Sequence, residues 1–312
     1  MERKTGHRAQ GAGRRGQDAG RRAAATVRQP PAIPPPVTAL ELRAAKGAHR
    51  LVMVTAVDEP SARAADAAGV DVVLVGDSLA MAALGRPDTL SVTLDEMIHH
   101  TRAAAAGARR ALLVADMPFG SYQTSVADAV RSACRLVAEG GARAVKLEGP
   151  RPEETAAIVA AGIPVVAHLG LTPQSVHRFG GYRVQGREVE AALRLIDDAV
   201  ALERAGAFLL VLEAIPAPLG EAVTRRVAIP TIGIGAGPGC DGQVLVFADL
   251  LGLSAGPAPR FVRRYADLAG AARSGIAAFA DDVRAGRYPA PEETYPSPAG
   301  LAAALARRLG SD

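Results

Sequence analysis

Short apolar runs that each end in a polar residue or a glycine recur along this sequence. Val72–Val75 run directly into Gly76-Asp77-Ser78, which is typical of a strand that is buried on both faces and stops at a turn. Later runs repeat this pattern and end at the following positions: Asp116, Lys146 to Glu148, His168, Glu213 and residues 233–237. The pattern places polar side chains at the ends of successive buried strands.

Alanine-rich stretches of helical character separate these strands, and alternating strands and helices predict a parallel sheet. In an open doubly wound sheet, ligands bind mainly at one switch point. In a (β/α)8 barrel, by contrast, the carboxyl ends of all the strands surround one site. Because the polar strand ends form a long series, we predict an α/β fold of the closed (β/α)8 TIM barrel class.

The length of 312 residues suits one such barrel, which needs about 250 residues. Residues 1–36 are basic, of low complexity and rich in proline at their end, so we predict a disordered basic N-terminal tail. The catalytic barrel is expected over residues 37–290, with residues 260–285 helical. Residues 291–312 are expected to form a C-terminal extension with a short helix.

The net charge of +4 comes from the predicted tail. Residues 1–28 contain eight of the 36 Lys and Arg residues and two of the 32 acidic residues, which leaves 28 basic and 30 acidic residues in the remainder. The predicted barrel therefore lacks the basic excess of a nucleic-acid-binding domain, and we expect no nucleic-acid partner. The tail also resembles an organelle transit peptide, but it contains no serine and is not clearly amphipathic.

Two cysteines, Cys134 and Cys240, form no CxxC or Cys/His metal motif, which indicates a reduced, cytoplasmic protein. No apolar run approaches the roughly 20 residues of a membrane span. No apolar segment of a secretory signal follows the basic start. We therefore expect neither a membrane partner nor secretion.

The strand-end carboxylates of Asp77 and Asp116 are candidates for a metal site. Because neighbouring strands of a barrel end side by side, the two carboxylates can converge, and hard oxygen ligands suit Mg²⁺. The alternative is that each aspartate caps the helix that follows it. Lys146 and Glu148 lie two apart on the next strand and so point to the same side, which favours a site.

Three further strand-end side chains are candidates for the chemistry. Lys146 can neutralise a substrate carboxylate or an enolate oxygen, and a structural ion pair with Glu148 is the alternative. His168 is either a packed histidine or a ligand of the site. Glu213 follows five apolar residues, and a carboxylate buried there suits a general base, with a salt bridge as the alternative. The glycine run at 233–237 lacks the context of a dinucleotide site.

These stretches resemble the ketopantoate hydroxymethyltransferase family. The resemblance rests on these motifs: LVGDSL (74–79), TLDEMI (93–98), ADMPF (115–119), VKLEG (145–149), HLGLTPQS (168–175), FGGYRVQG (179–186), LVLE (210–213), IGIGAG (232–237) and CDGQ (240–243). It implies a (β/α)8 barrel of the phosphoenolpyruvate/pyruvate superfamily and a homo-oligomer, usually a decamer. Val57, Ala80, Ser91 and Gly239 depart from the family pattern without removing a chemical group from the proposed site.

The resemblance also implies a reaction. It transfers a hydroxymethyl group from the co-substrate 5,10-methylenetetrahydrofolate to 3-methyl-2-oxobutanoate, through a Mg²⁺-stabilised enolate. The product is 2-dehydropantoate (ketopantoate), in pantothenate and coenzyme A biosynthesis. The implied roles are metal ligands and substrate contacts for Asp77 and Asp116, outer-sphere metal partner for Glu148, substrate contacts for Ser78, Lys146 and His168, and general base for Glu213.

Two other functions fit parts of the sequence. A Mg²⁺-dependent 2-oxo acid aldolase or lyase of the same superfamily would share the metal site and need no folate. A non-catalytic protein would use the basic tail to bind nucleic acid or an acidic partner, and the series of polar strand ends argues against it. The long connection at residues 169–187 predicts a functional role, either over the site or between subunits.

Overall fold

The computed structural model describes residues 35–310 of the chain. The predicted tail, residues 1–36, lies outside the described residues except for Pro35 and Pro36, and so do the last two residues of the predicted extension. Within the described part of the chain, no helix is long and apolar enough to cross a membrane.

Eight parallel strands form a closed barrel in sequence order, in which β8 pairs with β1. The strands are β1 Leu51–Thr55, β2 Val72–Val75, β3 Leu112–Asp116, β4 Ala144–Glu148, β5 Val165–Gly170, β6 Leu209–Glu213, β7 Thr231–Ile234 and β8 Gly242–Leu245. Nearly every residue of β2 to β7 is buried, as expected for strands covered on both faces. The predicted (β/α)8 TIM barrel is confirmed.

Helices connect the strands, and five of the helices begin at a residue whose side chain caps the first turn. They are α1 Ala39–Ala44, α2 Glu59–Ala67, α3 Leu79–Ala82, α4 Leu94–Gly107, α5 Val126–Ala138, α6 Pro152–Ala160, α7 Val176–Phe179, α8 Val189–Arg204, α9 Ala217–Arg226, α10 Phe247–Leu250, α11 Leu268–Arg284 and α12 Leu301–Leu309. Capping boxes start α1 at Thr38, α2 at Asp58 and α4 at Thr93.

The helix predicted over residues 260–285 begins later than the sequence suggested. Asp267 is the N-cap of α11, and its side chain accepts a hydrogen bond from the Gly270 N–H. Residues 260–267 are not helical, so the first part of this prediction was wrong. The capping aspartate, which satisfies an otherwise unpaired backbone N–H, fixes the start of the helix.

A cluster of buried apolar side chains fills the inside of the barrel. It includes Leu51, Met53, Val72, Leu74, Leu112, Val114, Val166, Val211, Ile232 and Val244. Leu42 and Ala45 of the α1 region belong to the same cluster. Lys46 Nζ, at the end of that region, donates to Asp241 Oδ2 just before β8 over 2.7 Å. The α1 region therefore closes the amino end of the barrel, and the carboxyl end is left for a site.

The strand register brings the predicted site residues into one layer at that carboxyl end. Asp116 lies opposite Lys146, and Glu148 lies opposite His168. Along β4, Lys146 and Glu148 are two and four residues beyond Ala144, which is part of the interior cluster, so their side chains continue the inward-facing row. The sequence prediction that these two side chains share a side therefore agrees with the structure.

Candidate active site

Asp77 and Asp116 lie side by side at the carboxyl ends of β2 and β3. The Asp77 N–H donates to Asp116 Oδ2 over 2.9 Å, and Asp77 Oδ2 accepts a hydrogen bond from Gln174 Nε2 over 2.8 Å. Neither carboxylate caps a helix, because α3 starts at Ser78 without a side-chain cap bond and α5 is capped by Ser125. The alternative that these aspartates are helix caps is therefore wrong.

Lys146 and His168 lie between the carboxylates of neighbouring strands. Lys146 Nζ is 2.8 Å from Asp116 Oδ1 and 4.0 Å from Glu148 Oε1. His168 Nδ1 is 3.5 Å from Glu148 Oε1, and His168 Nε2 is 3.3 Å from Glu213 Oε2. Basic and acidic side chains thus alternate around the mouth of the barrel.

These contacts shift the pKa values of the buried groups. Burial and the Lys146 ammonium oppose protonation of His168, but Glu148 and Glu213 outweigh them and raise the pKa of His168 to about 9. Burial also opposes the charge on Lys146, yet the charges of Asp116 and Glu148 raise its pKa above the usual value. Burial would raise the pKa of Glu148, but His168 and Lys146 lower it. These shifts favour the protonated forms of His168 and Lys146 and the ionised form of Glu148.

The Asp77 carboxyl is the group that this arrangement leaves uncompensated. Burial, followed by repulsion from Glu148 and Asp116, raises the pKa of Asp77 well above its ordinary value. Burial also raises the pKa of Asp116, against the attraction of Lys146. When ionised, the cluster has two more negative than positive charges, because two cations oppose the following four carboxylates: Asp77, Asp116, Glu148 and Glu213.

A divalent cation at Asp77 and Asp116 fits this charge and these ligands. Asp116 Oδ1 is buried and has no aligned hydrogen-bond donor, although Lys146 Nζ lies nearby. Carboxylate oxygens are the ligands that Mg²⁺ prefers. Within residues 35–310, no three His, Cys, Asp or Glu side chains form a group that could hold a metal ion. Water or substrate would therefore complete the coordination shell of the metal. The Glu148 carboxylate already contacts His168 and accepts a hydrogen bond from the Gln174 N–H.

Glu213 is the most exposed carboxylate of the cluster. It exposes 17% of its side chain, whereas Asp116 and Glu148 each expose 3%. The next residue, Ala214, has a φ of 45°, a left-handed conformation that costs a residue with a Cβ about 1–2 kcal/mol. The Ala214 N–H donates to Ile234 O over 2.8 Å, which holds this turn. The expected burial of Glu213 is only partial, because the strand ends at the open mouth.

Comparison with known proteins shows the family of this chain. The family model described as ketopantoate hydroxymethyltransferase matches residues 36–291. The 3-methyl-2-oxobutanoate hydroxymethyltransferase of Nitratidesulfovibrio vulgaris (strain DP4) is 60% identical over 262 residues, which cover 83% of this chain and 85% of the relative. The protein of the same name from Clostridium novyi (strain NT) is 51% identical over 255 residues, covering 81% and 93%.

The chain belongs to the ketopantoate hydroxymethyltransferase family. The sequence prediction of an enzyme of this family is confirmed.

Solved structures of lower identity share the fold of this family member. The structure of 2,3-dimethylmalate lyase, a PEP mutase/isocitrate lyase superfamily member, has a TM-score of 0.53 at 17% identity and covers 88% of this chain and 99% of that chain. Phosphonopyruvate hydrolase has a TM-score of 0.52 at 17% identity and covers 88% and 95%. At these identities the likeness shows the barrel alone.

A cavity of about 160 Å³ opens beside Ser78 and Gly76, on the β1 and β2 side of the carboxylate cluster. Thr55, Val57 and Phe247 also line it. A larger cavity of about 440 Å³ lies by Leu94 and residues 118–121 and contains none of the candidate residues. Of these two cavities, the smaller one includes a candidate residue, Ser78, and the buried charged side chains of the cluster line neither of them.

The β5–α8 connection, residues 171–188, is attached to the backbone of Glu213 and Ala214 near both its ends. The Leu171 N–H donates to Glu213 O over 2.8 Å, and the Gln185 N–H donates to Ala214 O over 2.9 Å. Gly170, just before the connection, has a φ of 95°, and a Cβ there would overlap Glu213 O. The connection therefore holds the end of β6 in place.

Gln174 and Tyr122 belong to the site but were not assigned a role from the sequence. Gln174 Nε2 donates to Asp77 Oδ2 over 2.8 Å and to Met117 O over 3.0 Å, and its Oε1 accepts from Tyr122 Oη over 2.6 Å. Tyr122 Oη in turn accepts from the Glu148 N–H over 3.0 Å. Gln174 lies in the HLGLTPQS motif, but no local pattern shows that its amide turns back to Asp77.

We expect the change Gln174→Met to destabilise the protein by about 1–3 kcal/mol. The new side chain has a similar length but removes the amide donor to the buried Asp77 carboxylate and Met117 carbonyl, and it removes the acceptor of the Tyr122 hydroxyl. Denaturant unfolding measures the change. Gln185→Met is the matched control, since that amide bonds only the exposed Arg183 O, and its effect should stay within about 0.5 kcal/mol. Equal effects of the two changes would contradict this role for Gln174.

Proposed function

We propose that this chain transfers a hydroxymethyl group from 5,10-methylenetetrahydrofolate to 3-methyl-2-oxobutanoate and so forms 2-dehydropantoate (ketopantoate). The observation that carries the proposal is the alternating layer of Asp116, Lys146, His168 and Glu213 beside Asp77, at the mouth of a barrel of this family. The layer combines carboxylates for a metal, a cation for a developing negative charge and a partly exposed carboxylate for a proton. These are the groups that deprotonation beside a carbonyl requires.

Asp77 and Asp116 would hold Mg²⁺ in this reaction. When bound, the metal supplies Lewis acidity toward the oxygens of the 2-oxo acid, which makes the neighbouring C–H more acidic. The Lys146 ammonium, paired with Asp116, faces the same layer and stabilises negative charge on the substrate's keto oxygen. The Ser78 hydroxyl makes no cap bond and is available to the substrate carboxylate.

Glu213 is the general base of the proposed reaction. Its Oε2 lies 3.3 Å from His168 Nε2, so the protonated imidazole attracts the carboxylate and keeps it at the mouth of the barrel. Glu213 takes the proton from C3, and C3 then forms a bond to the methylene carbon of the opened folate. Water then supplies its oxygen to that carbon as the hydroxyl while the carbon–nitrogen bond breaks, and tetrahydrofolate leaves with one proton of the water on its nitrogen.

A Mg²⁺-dependent 2-oxo acid aldolase or lyase is the alternative function. It would use the same carboxylates and lysine, so the geometry of the site alone does not separate the two. Family membership favours the hydroxymethyl transfer. Formation of ketopantoate that depends on added methylenetetrahydrofolate would distinguish the transferase from the lyase.

We also propose that the protein acts in the cytoplasm as a homo-oligomer, which the family resemblance predicts to be a decamer. Cys134 and Cys240 are both free, which suits a reducing compartment. Ile276, Phe279 and Val283 of α11 are three and four residues apart and expose 68%, 54% and 47% of their surface. An apolar stripe of this kind on a helix supports contact with a second copy.

We expect light scattering to give a mass that is a multiple of the 32.0 kDa chain. The change Phe279→Asp places a charge in the apolar stripe of α11 and should lower that mass by weakening the contact. Arg273→Gln, on the same exposed helix, is the control and should leave the mass unchanged. A monomeric wild type would refute the oligomer.

The change Glu213→Gln should lower turnover by about 10²–10⁴-fold, because it preserves shape but removes the basic oxygen. The direct measurement is exchange of the C3 proton of 3-methyl-2-oxobutanoate in D₂O, with Mg²⁺ present and folate absent. Wild type should exchange and the variant should not. Glu221→Gln is the control, since this carboxylate is exposed and pairs with Arg225 on the surface. Undiminished exchange in the Glu213 variant would place the base elsewhere.

Asp77→Asn and Asp116→Asn should each weaken Mg²⁺ binding by about 10-fold or more, because each removes a negative charge from the ligand set. Calorimetric titration of the protein with Mg²⁺ measures this without reference to turnover. Asp95→Asn, at a carboxylate that is 79% exposed on α4, is the control. Unchanged affinity in both site variants would exclude these aspartates as metal ligands.

A further inference from the structure

The tip of the β5–α8 connection, residues 176–187, forms a basic and aromatic surface. It contains His177, Arg178, Arg183 and Arg187, one tyrosine, one phenylalanine and no acidic residue. All four basic side chains are exposed. Among residues 35–310, no carboxylate lies within ion-pair distance of any of them. The tip therefore has positive charge that the described part of the chain does not neutralise.

The tip lies at the mouth of the barrel, above the carboxylate cluster. On one side Gln174 bonds Asp77, and on the other the Gln185 N–H bonds Ala214 O. Tyr182 Oη contacts Met81 Sδ of α3 over 3.5 Å, so the tyrosine reaches from the β5 side of the mouth to the β2 side.

The charges of the site act on Tyr182, and the side chain of Tyr182 is still exposed enough to contact a ligand. Partial burial, followed by the negative charges of Asp88, Asp77 and Glu213, raises the pKa of Tyr182. The residue nevertheless exposes 49% of its surface. An aromatic ring in this position can pack against a second ring that enters the mouth.

The proposed reaction requires a large co-substrate to approach from this end of the barrel. The α1 region closes the amino end, and apolar side chains fill the interior. A tetrahydrofolate consists of a fused ring, an aryl ring and a glutamyl chain that carries carboxylates. Once a divalent cation balances the negative charge of the cluster around Asp77, the basic side chains of the tip are available to pair with the carboxylates of such a ligand.

We propose that residues 176–187 are the docking surface for the tetrahydrofolate co-substrate. Tyr182 packs against its rings, and Arg183 and Arg187 pair with its glutamyl carboxylates. Arg178 contributes less, because its guanidinium stacks over the Phe179 ring at 5.4 Å. This inference rests on the proposed function, and it adds a preference: polyglutamylated tetrahydrofolate binds more tightly than the monoglutamate, since it brings more carboxylates to the same arginines.

The test measures the Kd of tetrahydrofolate monoglutamate and triglutamate by calorimetry, in the presence of Mg²⁺ and 3-methyl-2-oxobutanoate. The double change Arg183→Gln with Arg187→Gln should weaken triglutamate binding by about 3–10-fold and monoglutamate binding by less. Raising the salt concentration to about 0.5 M should remove most of the wild-type preference for the triglutamate. Arg109→Gln is the control, because Arg109 is exposed just before β3, at the opposite end of the barrel.

The aromatic part of the surface is tested separately. Tyr182→Leu should weaken binding of both folates by about 2–10-fold, whereas Tyr182→Phe, which keeps the ring, should bind as wild type does. Melting temperatures of all variants show that they fold. Folate affinities that are unchanged in the double arginine variant and in Tyr182→Leu would overturn the proposal, and a fall in mass in those variants would place the tip between subunits instead.

The same preparation separates a failure of this inference from a failure of the proposed function. Exchange of the C3 proton by the wild type, in Mg²⁺ without folate, reports the deprotonation step alone. If the wild type neither exchanges this proton nor forms ketopantoate, the proposed function fails. If it does both and the tip variants keep the wild-type Kd values, only the docking surface is wrong.

Discussion

The packing of four carboxylates, three of them buried, around two buried cations is the constraint on which the rest of the site depends. In a low-dielectric interior an uncompensated carboxylate is costly, and the raised pKa of Asp77 reflects that cost. The barrel sustains the cluster because strand register places two of the acids beside bases, Asp116 beside Lys146 and Glu148 beside His168. The remaining negative charge makes the mouth of the barrel a place for a divalent cation.

The β5–α8 connection contacts both the proposed metal ligand Asp77 and the proposed base Glu213. Its first turn supplies Gln174 to the Asp77 carboxylate, and its two ends hold the backbone of Glu213 and Ala214. The positive φ of Ala214 persists because hydrogen bonds from both sides fix it. A shift of this one segment would therefore move the proposed base and loosen the proposed metal ligand together.

The barrel by itself does not specify the reaction. Structures of about 17% identity share it, including a lyase and a hydrolase. What distinguishes this chain is its membership of the ketopantoate hydroxymethyltransferase family. The basic surface on the β5–α8 connection adds a feature that suits a large anionic co-substrate, which a lyase acting on a 2-oxo acid alone would not need.

The sequence by itself determined the barrel and the layer of candidate side chains, because both follow from local periodicity. Apolar runs that end in polar residues mark buried parallel strands and their carboxyl ends, and the two-residue period put Lys146 and Glu148 on one side. Only the tertiary structure decided which groups meet. Gln174 bonds Asp77 across 97 residues of chain, and Glu213 is partly exposed through the turn at Ala214. Such contacts depend on strand register and on the path of a long connection, which no local pattern encodes.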